Sequence, residues 1–351
     1  MNRLTVEPGP EAPLVSVIVP CYNEAKFIGP LIENLQQQDY PTDRLELLLI
    51  DGQSQDTTQE IIGLYRKHDP RIKLLINEKR FAPFALNLGI RQAAGEVIIR
   101  MDAHAVYPEN YIRQLVENLF ELKADNVGGR WITVPANDSM TARTIAVALS
   151  SVFGVGDASF RLKPAGSCPV DTVPFGCFRR SLFDRIGYFD EELLRNQDDE
   201  FNARILQNGG AIYLIPDIAI TYFARPDLKS LSRMYYQYGY FKPLVNLKLK
   251  KPATIRQFIP PLFVLFLLIG WVPGIFCPPL FIGYCAGIAL YLAAGLFFAL
   301  KEGIRSRQFF LFPYLPVVFF IQHFSYGSGY LAGIFRFVFM RKRALHLQNS
   351  R

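Results

Sequence analysis

The chain has 351 residues, half of them apolar, 14% aromatic, with a formal net charge of +7. That length allows one sizeable α/β domain plus a further part. The bases gather before and between apolar stretches near the C-terminus, which points to anionic lipid and away from nucleic acid. The five cysteines, Cys21, Cys168, Cys177, Cys277 and Cys285, show no metal spacing and no CxxC, which leaves reduced cytosolic or membrane thiols.

Residues 1–13 form a proline-rich, loose leader with no apolar h-region, so they are no secretory signal. Leu14 to Pro20 is a β-branched apolar strand. Cys21-Tyr22-Asn23-Glu24 then turns into a helix, AKFIGPLIENLQQQ, with Asn23 as N-cap and Glu24 favouring the helix N-terminus. Leu45 to Ile50 is a second strand ending at Asp51-Gly52-Gln53-Ser54, followed by a helix from about Asp56. Ile72 to Ile76 is a third strand. A loop with Lys79 and Arg80 leads into a helix that ends at Gly95.

Val97 to Tyr107, VIIRMDAHAVY, is the stretch on which the chain turns. Its apolar start reads as a buried strand of a parallel sheet. Asp102 and His104, two apart, leave the carboxyl end of that strand, where ligands of open α/β sheets bind. Such a pair suits a hard divalent cation shared with a phosphate. Alternating strands and helices imply a mostly parallel sheet with helices on both faces.

VSVIVPCYNE, LLLIDGQSQDTT, the segment from Asn77 through Lys79 to ALNLGI, and MDAHA together resemble the N-terminal half of family 2 glycosyltransferases of the GT-A fold, a Rossmann-like α/β architecture. MDAHA is also similar to the subgroup of succinoglycan-type glucosyltransferases, which have membrane segments after the catalytic domain. The resemblance implies a nucleotide-diphosphate-sugar site. Pro20, Tyr22 and Glu24 would line the base and ribose pocket, Asp51 would contact the base, and Lys79 and Asp102 would lie on the nucleotide sugar. The second acidic residue of the family's DxD would hold Mg²⁺ or Mn²⁺. Here that residue is His104, and Gly52-Gln53 replace the family's Asp-Gly. Three arrangements stay open: His104 ligates Mn²⁺, Asp102 carries the ion alone, or His104 only hydrogen-bonds a phosphate.

Pro108 to Lys123 is a helix and Asn126 to Val134 a strand. Thr141–Phe153 is a helix, and the Gly- and Pro-rich stretch after it is expected to be a mobile loop over donor or acceptor. Phe178 to Ile186 reads as a short helix. Asp198-Asp199-Glu200 opens a helix closed by Gly209, and three carboxylates there also suit the helix dipole. Aligned on the family's Glu-Asp pair, Asp198 takes the place of the general base, with Gln197 where the family has Glu, and Asp199 and Glu200 on the acceptor side. Inverting transfer needs one such base and a cation for the departing diphosphate. Ala211 to Pro216 is a last strand. The helix from Leu228 to about Tyr240 reads as lying on a membrane surface, tyrosines at the headgroups. The Q-x-x-R-W of processive polymerases is absent, which argues for adding a single sugar.

Phe258 to Phe276 and Leu280 to Leu300 are uncharged runs, each near the length of about 20 residues that crosses a bilayer. Basic residues flank their outer ends, so the catalytic domain faces the cytoplasm under the positive-inside rule. Phe309 to Phe335, broken by prolines, glycines and His323, suits a re-entrant or interfacial segment or a helical hairpin. The expected organisation is a leader (1–13), a GT-A catalytic domain (14–225), a basic interfacial segment (226–257), membrane helices (258–340) and a basic tail (341–351). The expected protein is a multi-pass enzyme of the cytoplasmic (inner) membrane. It moves one sugar, UDP-hexose being the first choice of donor, onto a lipid-linked saccharide for a surface polysaccharide. Two alternatives are a polyprenyl-phosphate monosaccharide synthase and a non-catalytic sugar-nucleotide-binding or transport subunit.

Overall fold

The computed structural model describes residues 12–156, 158–162, 164–252 and 254–341. All but the last two residues of the expected leader, and the tail after Arg341, lie outside the described residues. Among the described residues nine strands follow one another: β1 Val15–Cys21, β2 Leu45–Asp51, β3 Ile72–Ile76, β4 Val97–Arg100, β5 Ala105–Val106, β6 Asn126–Val134, β7 Cys168–Pro169, β8 Cys177–Arg179 and β9 Ile212–Phe223. The chain divides into two units. The first holds residues up to His104, Pro108–Val127 and Phe175–Tyr188; the second holds Ala105–Tyr107, Gly128–Pro174 and Phe189 onward.

In the first unit the strands run β3-β2-β1-β4-β8 and then the first residues of β6. The pairs β2–β3, β1–β2 and β1–β4 are parallel, while β8 is antiparallel to β4 and β6. β2 is buried at all seven positions and β1 at six, as continuous apolar runs of a parallel sheet should be. The register sets Cys21 beside Asp51 and Ile18 beside Arg100, so the turns after β1, β2 and β4 leave the same end of the sheet. At the other end, Glu46 is buried and ties Ser16, Lys73 and the backbone N–H of Ala94 together. Gly95 is required there, since a Cβ would lie 2.5 Å from Ser16 Oγ.

In the second unit the rest of β6 leads to β9 and β5, with β7 also on β9. Helices make up most of what remains. Leu228–Leu249 packs along Leu315–Gly333, and the two backbones approach so closely that a Cβ on Gly239, Gly329 or Gly333 would stand 2.0–2.2 Å from a carbonyl oxygen of the facing helix.

Several expectations need correction. Phe178 to Ile186 is not one helix: Cys177–Arg179 pairs as β8 and only Ser181–Ile186 is helical, because buried Cys177 and Phe178 complete ladders on both sides. β9 passes Pro216 and runs to Phe223, where Thr221 and Tyr222 pair with β5. The helix from Leu228 continues nine residues beyond Tyr240, through Pro243, because packing on Leu315–Gly333 outweighs the missing N–H. Its Tyr235 and Tyr238 pack on protein, against the cluster of Leu231, Met234, Leu315 and Phe319, rather than at headgroup level. The first apolar run breaks after Ile269 into a second short helix, Pro273–Phe276. The third is one helix, Leu315–Gly333, continued by a π-helical turn, and not a hairpin. His323 within it meets Phe153 O at 2.7 Å and Tyr291 Oη at 2.9 Å.

Candidate active site

The turns at the carboxyl ends of β1 and β2 are laced to each other. Asn23 adopts a left-handed backbone (φ 54°), and its N–H donates to Ser54 Oγ at 2.8 Å while its Oδ1 accepts from Gln55 N at 2.8 Å. Asn23 is therefore not the helix cap expected of it; the helix opens later, at Ile28. The backbone N–H of Glu24 donates to Thr58 Oγ1 (2.8 Å) and that of Ala25 to Asp56 (3.1 Å). Asp51 is fully buried, and its carboxylate accepts from Ser54 N (2.9 Å), Ser54 Oγ (2.5 Å) and Gln59 Nε2 (2.6 Å). Gln53, where the family's Gly stands, takes a left-handed backbone (φ 62°) and accepts from Arg80 Nε at 3.2 Å. The neighbouring Lys79 is exposed, its N–H on Asn77 Oδ1. Thus the chain after β3 closes over the turn after β2.

After β4, Arg100 Nη2 lies 3.2 Å from Asp102 Oδ1, and the Arg100 guanidinium stands over the Phe175 ring. Tyr111 is buried nearby; burial first, then the charges of Cys177 and Asp102, push its hydroxyl up. His104 turns its Nδ1 toward Glu24 Oε1 at 3.5 Å, so two residues singled out 80 positions apart meet. The side chains of Asp102 and His104 are each about a quarter exposed, at 24% and 26%. Among the described residues no group of three or more His, Cys, Asp or Glu side chains could enclose a metal ion. One carboxylate and one imidazole fit an ion that draws most of its ligands from phosphate oxygens, and do not fit a closed all-protein cage.

The acidic turn lies in the second unit. Gln197–Gln207 is a helix with Asp198, Asp199 and Glu200 in its first turn, entered from Asn196 in a left-handed conformation. Asp199 pairs with Lys242 Nζ at 2.6 Å, and the nearly buried Glu200 is held by both arms of Arg204 at 2.8 Å. Asn196 Nδ2 donates to Tyr238 O, and Arg195 Nε to Gln237 Oε1. Asn202 donates to Thr172 Oγ1 and, at 3.4 Å, to Val173 O, tying the helix to the segment after β7. Sequence reasoning missed Lys242 and Asp171. Burial, then the charge of Asp199, raises the Asp171 carboxyl, and Arg256 reaches it at 3.1 Å. Separations of 43 and 85 residues gave no local signal for either pair.

A parallel-stranded domain with acids at its strand ends, followed by an acidic helix start, is the layout of GT-A glycosyltransferases. Over 97% of this chain and 92% of the other, the fold matches a mannosyltransferase from Pyrobaculum calidifontis solved with GDP-mannose and Mn²⁺ (TM-score 0.56, 20% identity). Residues 16–187 match the family model for glycosyl transferase family 2, so that segment is a family 2 glycosyltransferase domain. It is 28% identical over 331 residues to a dolichyl N-acetyl-α-D-glucosaminyl phosphate 3-β-D-2,3-diacetamido-2,3-dideoxy-β-D-glucuronosyltransferase of Methanococcus voltae, covering 92% of this chain and 97% of that one. It is 29% identical to the succinoglycan biosynthesis protein ExoA of Rhizobium meliloti, covering 90% and 93%. Two helical stretches, Arg256–Phe276 and Pro278–Arg305, are long and apolar enough to cross a membrane, and only 11% and 6% of their most apolar windows are buried.

Proposed function

We propose that the protein is an inverting glycosyltransferase that moves a single hexosyl group from a UDP-type donor to a lipid-linked saccharide at a membrane. The observation that carries this reading is the register of β1, β2 and β4. It brings the turns bearing Tyr22 to Glu24, Asp51 to Ser54 and Asp102 to His104 out at one end of the first unit's sheet. In this reading Pro20, Tyr22, Glu24, Asp51 and Lys79 form the nucleotide side. Buried Asp51 organises its turn, and exposed Lys79 meets phosphate. Asp102 and His104 would hold a divalent ion, Mn²⁺ or Mg²⁺, which would neutralise charge on the departing diphosphate.

Asp198 takes the proton of the acceptor hydroxyl as that oxygen attacks the anomeric carbon, and the carbon–diphosphate bond breaks on the opposite side. Asp199 and Glu200 flank it on the acceptor side, each already neutralised by a cation of the second unit. A lipid-linked acceptor is supported by the two apolar helical stretches and by the Methanococcus relative, whose name describes a dolichyl phosphate sugar. The flanking bases support a cytoplasm-facing catalytic part.

The test uses membranes holding the full chain, Mn²⁺, and a panel of labelled sugar nucleotides with lipid-linked saccharides. Transfer is expected, with Asp198→Asn lowering it by at least ~10²-fold. Near-normal transfer by Asp198→Asn would defeat the role of Asp198 and favour a phosphate acceptor, which needs little base. Equal use of short soluble saccharides would defeat the lipid acceptor.

A further inference from the structure

We infer that a cleft in the second unit, between helix Met140–Ala148 and the end of helix Pro278–Arg305, binds the headgroup of an anionic phospholipid that carries a free hydroxyl. The inference rests on the membrane association proposed above. The cleft encloses about 240 Å³ and is lined by Thr133, Arg143, Ser150, Glu302, Arg305 and Gln308, among others. Two arginine side chains therefore line it.

Arg305 is fixed in place. Its Nε lies 3.2 Å from Oε2 of the buried Glu302, and its Nη2 donates to Ser150 O at 3.1 Å. More than half of its side chain, 57%, nevertheless stays accessible. Arg143 is steadied by Asp138 at 3.2 Å and is 40% exposed. Two arginines lining one small space suit the oxygens of a phosphodiester. Gln308 adds a second requirement: its Oε1 is buried and has no hydrogen-bond partner among the described residues. An acceptor left without a donor is costly in a buried site, so a ligand hydroxyl in the cleft would relieve it.

The surroundings choose between a lipid and a free phosphate. The cleft sits where an exposed, strongly apolar helix ends. Next in the chain to its lining residues Arg305 and Gln308, Ile304, Phe309 and Phe310 are 63%, 56% and 49% exposed, apolar surface that a soluble anion would leave bare and acyl chains would cover. Lys301 and Arg307 add positive charge at the same helix end.

The experiment places the full chain in lipid nanodiscs of phosphatidylcholine doped with phosphatidylglycerol or phosphatidic acid, and reads retained lipid by native mass spectrometry after extraction. Phosphatidylglycerol should be retained about tenfold over phosphatidylcholine. Arg143→Ala, which leaves the Glu302–Arg305 pair intact, should abolish that preference. Gln308→Leu should erase the difference between phosphatidylglycerol and phosphatidic acid, which lacks the free hydroxyl. Unchanged retention in Arg143→Ala, or equal retention of charged and neutral lipid, overturns the site. Displacement by free glycerol phosphate at the lipid's own concentration overturns the lipid assignment. Failure of the chain to enter nanodiscs at all would instead defeat the membrane reading on which this one stands.

Discussion

Asp51 in the first unit and the Asp199 and Asp171 carboxylates in the second are held in opposite ways. In the first, Asp51 is satisfied by Ser54 and Gln59, three and eight residues away, with hydroxyl, amide and backbone donors and no cation. In the second, Asp199 depends on Lys242 and Asp171 on Arg256, 43 and 85 residues away, so each acid is neutralised by a charge brought in from another helix. Local donors make a turn that forms as soon as its strand does. Distant cations make a turn whose geometry depends on how helices pack. The donor side of the proposed reaction thus rests on a rigid sheet end, and the acceptor side on a helix held by the bundle that carries the apolar spans.

The sharpest way to break this contrast is to force the bundle apart. Gly239→Val puts side-chain atoms where a Cβ already meets Tyr326 O at 2.0 Å. We expect a loss of about 3 kcal/mol, because neither backbone can yield without the other. Hydrogen exchange should rise in Leu228–Leu249 and Leu315–Gly333 while β1 and β2 stay protected. Parallel loss of protection in β1 and β2 would show that the units do not respond separately. The converse change is Asp51→Ala. It strands the Ser54 and Gln59 donors and should cost about 2–3 kcal/mol, with exchange rising first in the turns after β1 and β2. Binding of the donor nucleotide should weaken in this variant and hold in Gly239→Val; the reverse would exchange the roles of the two units.

How much was legible follows the same divide. β3 and β6 were readable to the residue and β1 and β2 within one or two; for β1 and β2 the reason is that buried parallel strands write mostly apolar runs. Asp51, Asp102 and His104 stood out because each closes such a run. The short strand β8 was hidden: three residues ahead of a helix carry no period, and only pairing to β4 and β6 makes them a strand. Pro216 suggested a strand end and the helix from Leu228 was read only to about Tyr240, where packing carried both elements on. Lys242 was invisible as a partner of Asp199, since a lysine among tyrosines on a long helix looks like a solvated face until the fold buries it to 9%.

A milder probe of the first unit uses pH. Asp69 accepts from Arg71 Nε and Nη2 at 2.8 and 2.7 Å and from Gln36 Nε2 at 3.0 Å. The Arg71 hydrogen bonds hold its carboxyl at about 2, against an ordinary 3.8. A depressed carboxylate contributes stability that is full above the unfolded value and lost as pH falls toward the folded one. That contribution is about 2 kcal/mol, so Asp69→Asn should lower the unfolding free energy by that order at pH 7. The gap should close as pH drops from about 4 to 2, followed by denaturant titration; a constant gap would mean Asp69 acts through packing instead.

The smallest expected effect tests the second unit with the opposite sign. Lys242 neutralises Asp199 and draws down the neighbouring Asp171, whose carboxyl burial and Asp199 together raise. A raised carboxyl favours the fold while protonated and loses that advantage as pH rises through its folded value. Lys242→Met removes one cation, so the repulsion between Asp171 and Asp199 is left to Arg256 alone once both are ionised. The variant should match the parent near pH 4 and fall behind by about 1 kcal/mol near neutrality, as suits a partly exposed pair. Its gap from the parent thus opens with rising pH over the same range in which that of Asp69→Asn reaches its plateau. Lys242→Arg should restore most of the loss. If the gap stayed fixed from pH 4 to 8, Lys242 would matter for its buried stem alone, and the acidic turn would not need a distant charge to hold its shape.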